Sequence, residues 1–193
     1  MALQQLPLLG GTLSWNASLW TAVDDSVRGG NSSSHLDIDA AKNEVTFAGY
    51  LDITTLGGAG FASQQTVGSL DWNLTACEGL LVSVTVADGK VYTLNLKDIM
   101  PAGDRKATLL YETNFTVPSS STGCSPSDAT QDVFLPWANF TATYEGRTQP
   151  DAKPLNISSI KTMSLMMRSY FGKQEGEFSL TVRSIAAAAC ETQ

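Results

Sequence analysis

Residues 24–35 read DDSVRGGNSSSH. Two carboxylates, an arginine, two glycines, a run of hydroxyls and the chain's single histidine fall within twelve residues. Three kinds of chemistry use such a set. A nucleophilic triad would need His35 beside a serine and an aspartate, yet the chain has no G-x-S-x-G elbow to expose a serine. A phosphate loop would need G-K-[ST] between a strand and a helix, and neither the motif nor the helix is there. The third reading is a demanding turn: Gly29-Gly30 permits positive φ, and Asp24, Asp25 and the serines cap loop amides. The residue types favour this last reading. In its functional version Arg28 offers a forked donor to a carbonyl or carboxylate, with His35 nearby. Asp24, Asp25, Asp37 and Asp39 are hard oxygen donors, so Ca²⁺ is the one ion the segment suits. No other cofactor is expected. With one histidine and no C-x-x-C, a structural zinc site lacks ligands, and the adjacent Asp24/Asp25 pair is a poor match for glycoside hydrolysis.

The elements that would position these residues are strands. Val45 and Phe47 alternate with Thr46 and Ala48; 80–96 holds two β-rich runs joined by Ala87-Asp88-Gly89-Lys90, the strongest hairpin signal in the chain. Further strands are expected at 109–117, 132–137, 163–171 and 177–185. Segment 117–130 reads as a long loop, and IAAAACETQ (185–193) as a short helix or a frayed tail. Eight to ten short strands without a helical period predict an all-β sandwich or barrel. Alternation assigns Tyr92, Leu94, Leu96, Met163, Leu165, Met167, Phe178, Leu180 and Val182 to the core. It turns Thr93, Asn95, Lys97, Ser164, Met166, Arg168 and Tyr170 outward, an amphipathic face suited to binding. Trp15, Trp20, Trp72 and Trp137 read as core or rim residues rather than sugar platforms.

Bulk properties bound the function. The 193 residues carry a net charge of −7, which leaves no electrostatic footprint for nucleic acid. No apolar run reaches the roughly 20 residues of a membrane helix. Six of the eight asparagines open an N-x-Ser/Thr triplet: Asn16, Asn31, Asn73, Asn114, Asn139 and Asn156. Their excess favours a glycosylating compartment. A glycan on Asn114 would put that residue and Glu112 in water and turn Tyr111, Thr113 and Phe115 inward. The N-terminus resembles neither a signal peptide nor a mitochondrial presequence. The expected location is the secretory pathway or the exterior if a leader was removed, otherwise the cytoplasm, with mitochondria disfavoured. Cys77, Cys124 and Cys190 permit one disulfide or three free thiols.

Taken in order, several pieces resemble one family. Trp20, then Asp24-Asp25-Ser26-Val27-Arg28-Gly29-Gly30 with Ser32 and Ser34, is similar to the "W…D-x-V-M-G-G-x-S" opening of the thirty-kilodalton complex I intermediate-associated proteins. Phe47-Ala48-Gly49 resembles their "F-x-G" strand, and Gly57, Gly58 with Gly60-Phe61-Ala62-Ser63 resemble "G-G-F-A-S". Gly79-Leu80 and Asp88-Gly89-Lys90-Val91-Tyr92-Thr93-Leu94, then Phe134-Leu135-Pro136-Trp137-Ala138-Asn139-Phe140, then Gly176-Glu177-Phe178-Ser179-Leu180 follow in the family's order. Arg28 stands where the family has Met, and Gln65 where an Arg follows "F-A-S".

The resemblance implies a galactose-binding-like jelly roll, related to carbohydrate-binding modules, whose best-known members are chaperones of respiratory complex I assembly. Small relatives are associated with secondary metabolism, where such sandwiches act as cofactor-free cyclases of hetero-Diels–Alder type. The expectation is one domain over 1–193, with an N-terminal extension at 1–11 and a tail at 187–193, open to self-association. It would be a cyclase for an apolar small molecule; the alternatives are a complex I chaperone and a non-catalytic carbohydrate-binding module. Arg28, Gln65, Asn95 and Arg168 would be the polarising donors. Trp20, His35, Thr93, Met166 and Tyr170 would be the ligand contacts.

Overall fold

The computed structural model describes residues 4–101, 108–119 and 130–190. Two antiparallel sheets face each other, an all-β jelly-roll sandwich. One sheet holds β3 (Ser33–Asp39), β4 (Glu44–Leu51), β13 (Gly176–Cys190), β6 (Gly79–Ala87) and β9 (Gln131–Pro136) in that order. Its sixth strand, β1 (Gln4–Gly10), pairs with the second half of β13. The other sheet runs β11 (Arg147–Thr148), β10 (Thr141–Tyr144), β8 (Leu110–Thr116), β7 (Val91–Lys97), β12 (Thr162–Arg168), β5 (Phe61–Thr66) and β2 (Trp20–Ala22).

The core follows the period of two. Tyr92, Leu94, Leu96, Met163, Leu165 and Met167 from one sheet meet Phe47, Leu80, Val82, Val84, Leu180 and Val182 from the other, all buried. Phe47, Tyr92, Phe115 and Phe178 form a chain of ring contacts at 5.0–6.5 Å between centroids. Such edge-on and tilted pairs add to simple burial.

Three local expectations are corrected. Asp88-Gly89 does not close a hairpin, because β6 and β7 belong to different sheets. The Asp88 carboxylate accepts from Lys90 N–H at 3.0 Å and from Ser179 N–H of β13 at 3.0 Å, so the turn is tied to a third strand and carries the chain across the sandwich. Both flanking runs are apolar on one face, and they bury those faces against each other instead of pairing edge to edge. The supposed N-terminal extension is strand β1 from Gln4 onward. The supposed tail is the end of β13, up to Cys190, with Ala187 sandwiched between Leu6 and Leu80. A disulfide joins Cys190 to Cys77. Cys124 and most of the expected 117–130 loop lie outside the described residues.

Candidate functional site

Asp24 and Asp25 sit at one end of the sandwich, where they bind strands from both sheets. Asp25 is fully buried. It accepts from Ser32 N–H (2.9 Å), Ser32 Oγ–H (2.7 Å) and Phe61 N–H (3.1 Å). Asp24 accepts from Ser34 N–H (3.0 Å), Ser34 Oγ–H (2.7 Å) and Ser63 N–H (2.8 Å). Ser34 is on β3 and Ser63 on β5, so the two carboxylates clamp one sheet to the other. The glycines now have separate reasons. Gly29 ends a short 3₁₀ turn (Asp25–Arg28) at φ +81°. A Cβ on Gly30 would lie 2.3 Å from the Asp25 carboxylate. With their lone pairs facing N–H and O–H donors, Asp24 and Asp25 are poorly disposed toward a cation. Asp37 and Asp39 lie elsewhere on β3, against His35 and Lys42. Asp24, Asp25, Asp37 and Asp39, the hard oxygen donors of this segment, therefore do not converge, and no group of three or more metal-ligating side chains occurs among the described residues.

The outward residues of the seven-stranded sheet line up in rows. Gln65, Ser164, Asn95 and Glu112 are mutual cross-strand neighbours. Ser63, Met166, Thr93 and Asn114 form the next row, then Phe61 and Arg168. The Arg168 guanidinium crosses the middle row to meet Glu112, Nη1 to Oε1 2.9 Å. It also lies 4.6 Å from the centroid of the Tyr170 ring. The Tyr170 hydroxyl donates to Asn114 Oδ1 at 2.7 Å, and Thr93 Oγ1–H donates to the same oxygen at 2.8 Å. Burial opposes the Arg168 charge, but Glu112 and Tyr170 more than offset it, and the guanidinium pKa is raised. Lys97, farther along the same face of β7, has no carboxylate partner among the described residues, and burial lowers its pKa. Arg28 reaches the edge of the face, 5.6 Å from the Phe61 ring centroid.

Thr93 and Asn95 point outward but are 0% exposed. They form a floor beneath the longer side chains that span it. Asn95 Nδ2–H donates to Ser164 Oγ at 3.1 Å. Asn95 Oδ1 and Arg168 Nε are buried with no hydrogen-bond partner. One is an acceptor, the other a donor, and both belong to one face. An unmet buried polar group costs about 1–3 kcal/mol, so this face gains from any guest that supplies the missing bonds.

Of the expected site residues, Arg28, Gln65, Asn95, Arg168, Thr93, Met166 and Tyr170 share this face. Trp20 does not: its strand parity turns it inward, where it is buried 6.3 Å from Trp15. His35 lies on the other sheet, 3.2 Å from Asp37. It borders a groove of about 690 Å³ with Ser33, Ala48, Tyr50, Glu177 and Ser179, opened by the small Ala48 between His35 and Ser179. Sequence reasoning misses two residues here: Glu112, which shares the outward parity of Asn114, and Gln174, whose side chain bonds the Val91 and Arg168 carbonyls and which has no local signal. Three N-x-Ser/Thr triplets form local turns in which the hydroxyl donates to the asparagine Oδ1: Ser18 to Asn16, Thr75 to Asn73 and Ser158 to Asn156, at 2.6–2.8 Å. Asn31 and Asn139 are exposed.

Two antiparallel sheets packed face to face, one with a polar outer face, make this chain a jelly-roll β-sandwich. Solved structures agree on the fold. The family 11 carbohydrate-binding module of a cellulosomal cellulase of Clostridium thermocellum superposes with TM-score 0.62 at 15% identity, over 100% of this chain and 99% of its own. The same module in complex with a β-1,3-1,4-mixed-linked tetrasaccharide gives 0.61 at 14% identity, over 98% of each chain. The family pattern of complex I intermediate-associated protein 30 matches residues 12–182. An uncharacterized protein of Schizosaccharomyces pombe is 38% identical over 190 residues, 94% of this chain and 83% of its own. The chain belongs to the complex I intermediate-associated protein 30 family.

Proposed function

We propose that this protein is a binding module for a hydroxyl-rich small molecule of the saccharide class, held on the outer face of the seven-stranded sheet. One observation carries the reading: Asn95 Oδ1 and Arg168 Nε are buried and unpartnered on that face. A hydroxyl can donate to the first and accept from the second, which a purely apolar guest cannot do. Gln65, Glu112, Asn114 and Tyr170 add polar atoms around them. The fold neighbour solved with a tetrasaccharide supports the choice of class. Because Thr93 and Asn95 are covered, a guest displaces the Arg168–Glu112 bridge to reach them, and its hydroxyls replace that bond.

The test is titration calorimetry with a panel of neutral oligosaccharides, including the mixed-linked tetrasaccharide. Wild type is expected to bind at least one, and Arg168→Met and Gln65→Ala to weaken it about tenfold or more, a loss of about 1.4 kcal/mol. Absence of binding across the panel at millimolar concentration overturns the reading.

A cofactor-free cyclase on the same face is the second reading. Met166 and Phe61 flank Arg168 there, giving an apolar strip beside a donor that can polarise a carbonyl. Its mark is product formation from a polyene substrate that is lost in Arg168→Met. A complex I chaperone role draws on the family's name, and co-purification with complex I subunits is its test.

A further inference from the structure

Residues 170–172 make one turn of left-handed helix. Tyr170, Phe171 and Gly172 have φ of +46°, +57° and +81°. Lys173 and Gln174 N–H both donate to Ser169 C=O, at 2.9 and 3.3 Å. Cβ crowding makes this conformation unfavourable for any residue but glycine, and two bulky residues in succession are rarer still. The turn is held open from below by one side chain. Gln174 Nε2–H donates to Val91 C=O (2.8 Å) and Arg168 C=O (2.7 Å), and Gln174 Oε1 accepts from Val91 N–H (3.1 Å).

Tyr170 has a visible use for its strained backbone: its ring lies against Arg168 and its hydroxyl completes the Thr93–Asn114 cluster. Phe171 has none in the chain itself. It is 90% exposed, and its ring meets no other ring and no cation among the described residues. Phe61 and Tyr170, the aromatics whose rings border this face, each already carry an arginine, and Phe171 follows Tyr170 directly in the chain.

We infer that Phe171 is the stacking platform of the binding face, and that the left-handed turn exists to present its bare ring beside Arg168. This rests on the saccharide reading and narrows it: the guest carries a pyranose ring with an apolar C–H face, which packs on Phe171 while its rim hydroxyls meet the Arg168 cluster. Strain at an exposed residue, uncompensated by burial, is what a functional constraint predicts and a folding constraint does not.

The experiment compares wild type, Phe171→Gly and Phe171→Tyr, measuring thermal unfolding and calorimetric titration with the oligosaccharide that binds wild type tightest. Phe171→Gly is expected to raise the midpoint by about 2–4 °C, since glycine accepts the left-handed turn, and to weaken binding at least tenfold. Phe171→Tyr keeps the platform and binds within about threefold of wild type, corresponding to less than ~0.7 kcal/mol. Binding by Phe171→Gly equal to wild type overturns the platform and leaves the saccharide reading standing. A wild type that binds no oligosaccharide overturns the saccharide reading, and the platform with it. A midpoint unchanged or lowered in Phe171→Gly removes the argument from strain.

Discussion

At the scale of single residues, the charged side chains divide into those that hold the fold and those free to act. Asp24 and Asp25, which the residue types assign to capping loop amides, are committed to the fold, each accepting three hydrogen bonds from backbone and hydroxyl donors. Asp52 is similar. Its carboxylate accepts from Thr54 Oγ1–H (2.6 Å), Thr54 N–H (3.0 Å) and Thr55 N–H (3.1 Å). The Thr54 hydroxyl first, then Thr55, hold its pKa far below the ordinary carboxylate value of 3.8. The unfolded chain therefore takes up this proton at a higher pH than the folded one. The stabilisation is fully present above the unfolded value and fades as pH falls below it. Urea midpoints measured from pH 6 down to pH 3 are expected to drop, and Asp52→Asn is expected to show a smaller drop than wild type. Parallel curves for the two proteins would mean that Asp52 is not a source of the acid sensitivity. Little of this was legible beforehand. The sequence marked 24–35 as a turn that caps itself, but the partners of Asp24 and Asp25 include Phe61 and Ser63, more than thirty residues away. Likewise, alternation told which way Thr93 and Asn95 point and was silent on depth, because depth depends on what Arg168 and Tyr170 lay across them.

At the scale of elements, legibility tracks the range of the interaction. A strand's inward and outward sets are fixed by its own geometry, and the core sets of β7, β12 and β13 came out as read. Pairing is a competition among strands, and there the local signal lost: Asp88-Gly89 has the right residues for a hairpin, yet Asp88 spends its second oxygen on Ser179. The end of β13 is the other case. Four alanines have weak strand propensity, but β1 and β6 flank them on both sides, and the Cys77–Cys190 bond fixes the terminus. That bond spans 113 residues. In the chain-entropy account a loop of this size stabilises by about 4–5 kcal/mol. Cys190→Ser is expected to lower the unfolding free energy by about that amount, read from the full urea transition, with a steeper slope because the released unfolded chain exposes more surface. Loss of less than ~1 kcal/mol would place the holding of β13 in its backbone pairing rather than in the crosslink.

At the scale of the whole molecule, β13 is the spine. Its 15 residues span roughly 50 Å at strand rise, and the two fastenings sit at its opposite ends. The Asp24–Asp25 clamp lies where Gly176 and Glu177 meet the end of β4 and Ser33; the disulfide lies at Cys190. Between them runs a continuous core shared by both sheets. If that core makes the sandwich one cooperative unit, the two ends contribute independently. Asp25→Ala strands two buried donors on Ser32 and a part-buried one on Phe61, a loss of about 3–5 kcal/mol. Combined with Cys190→Ser, the two costs are expected to add within about 0.5 kcal/mol, because the sites share no partner and lie far beyond contact distance. Losses that fall short of the sum, together with a shallower or two-step urea transition, would mean that one end already opens without the other. In that case the outer face of the seven-stranded sheet, which abuts the clamp through Phe61 and Arg28, would belong to the end that opens first. Ligand binding would then protect that end alone, and not the whole sandwich.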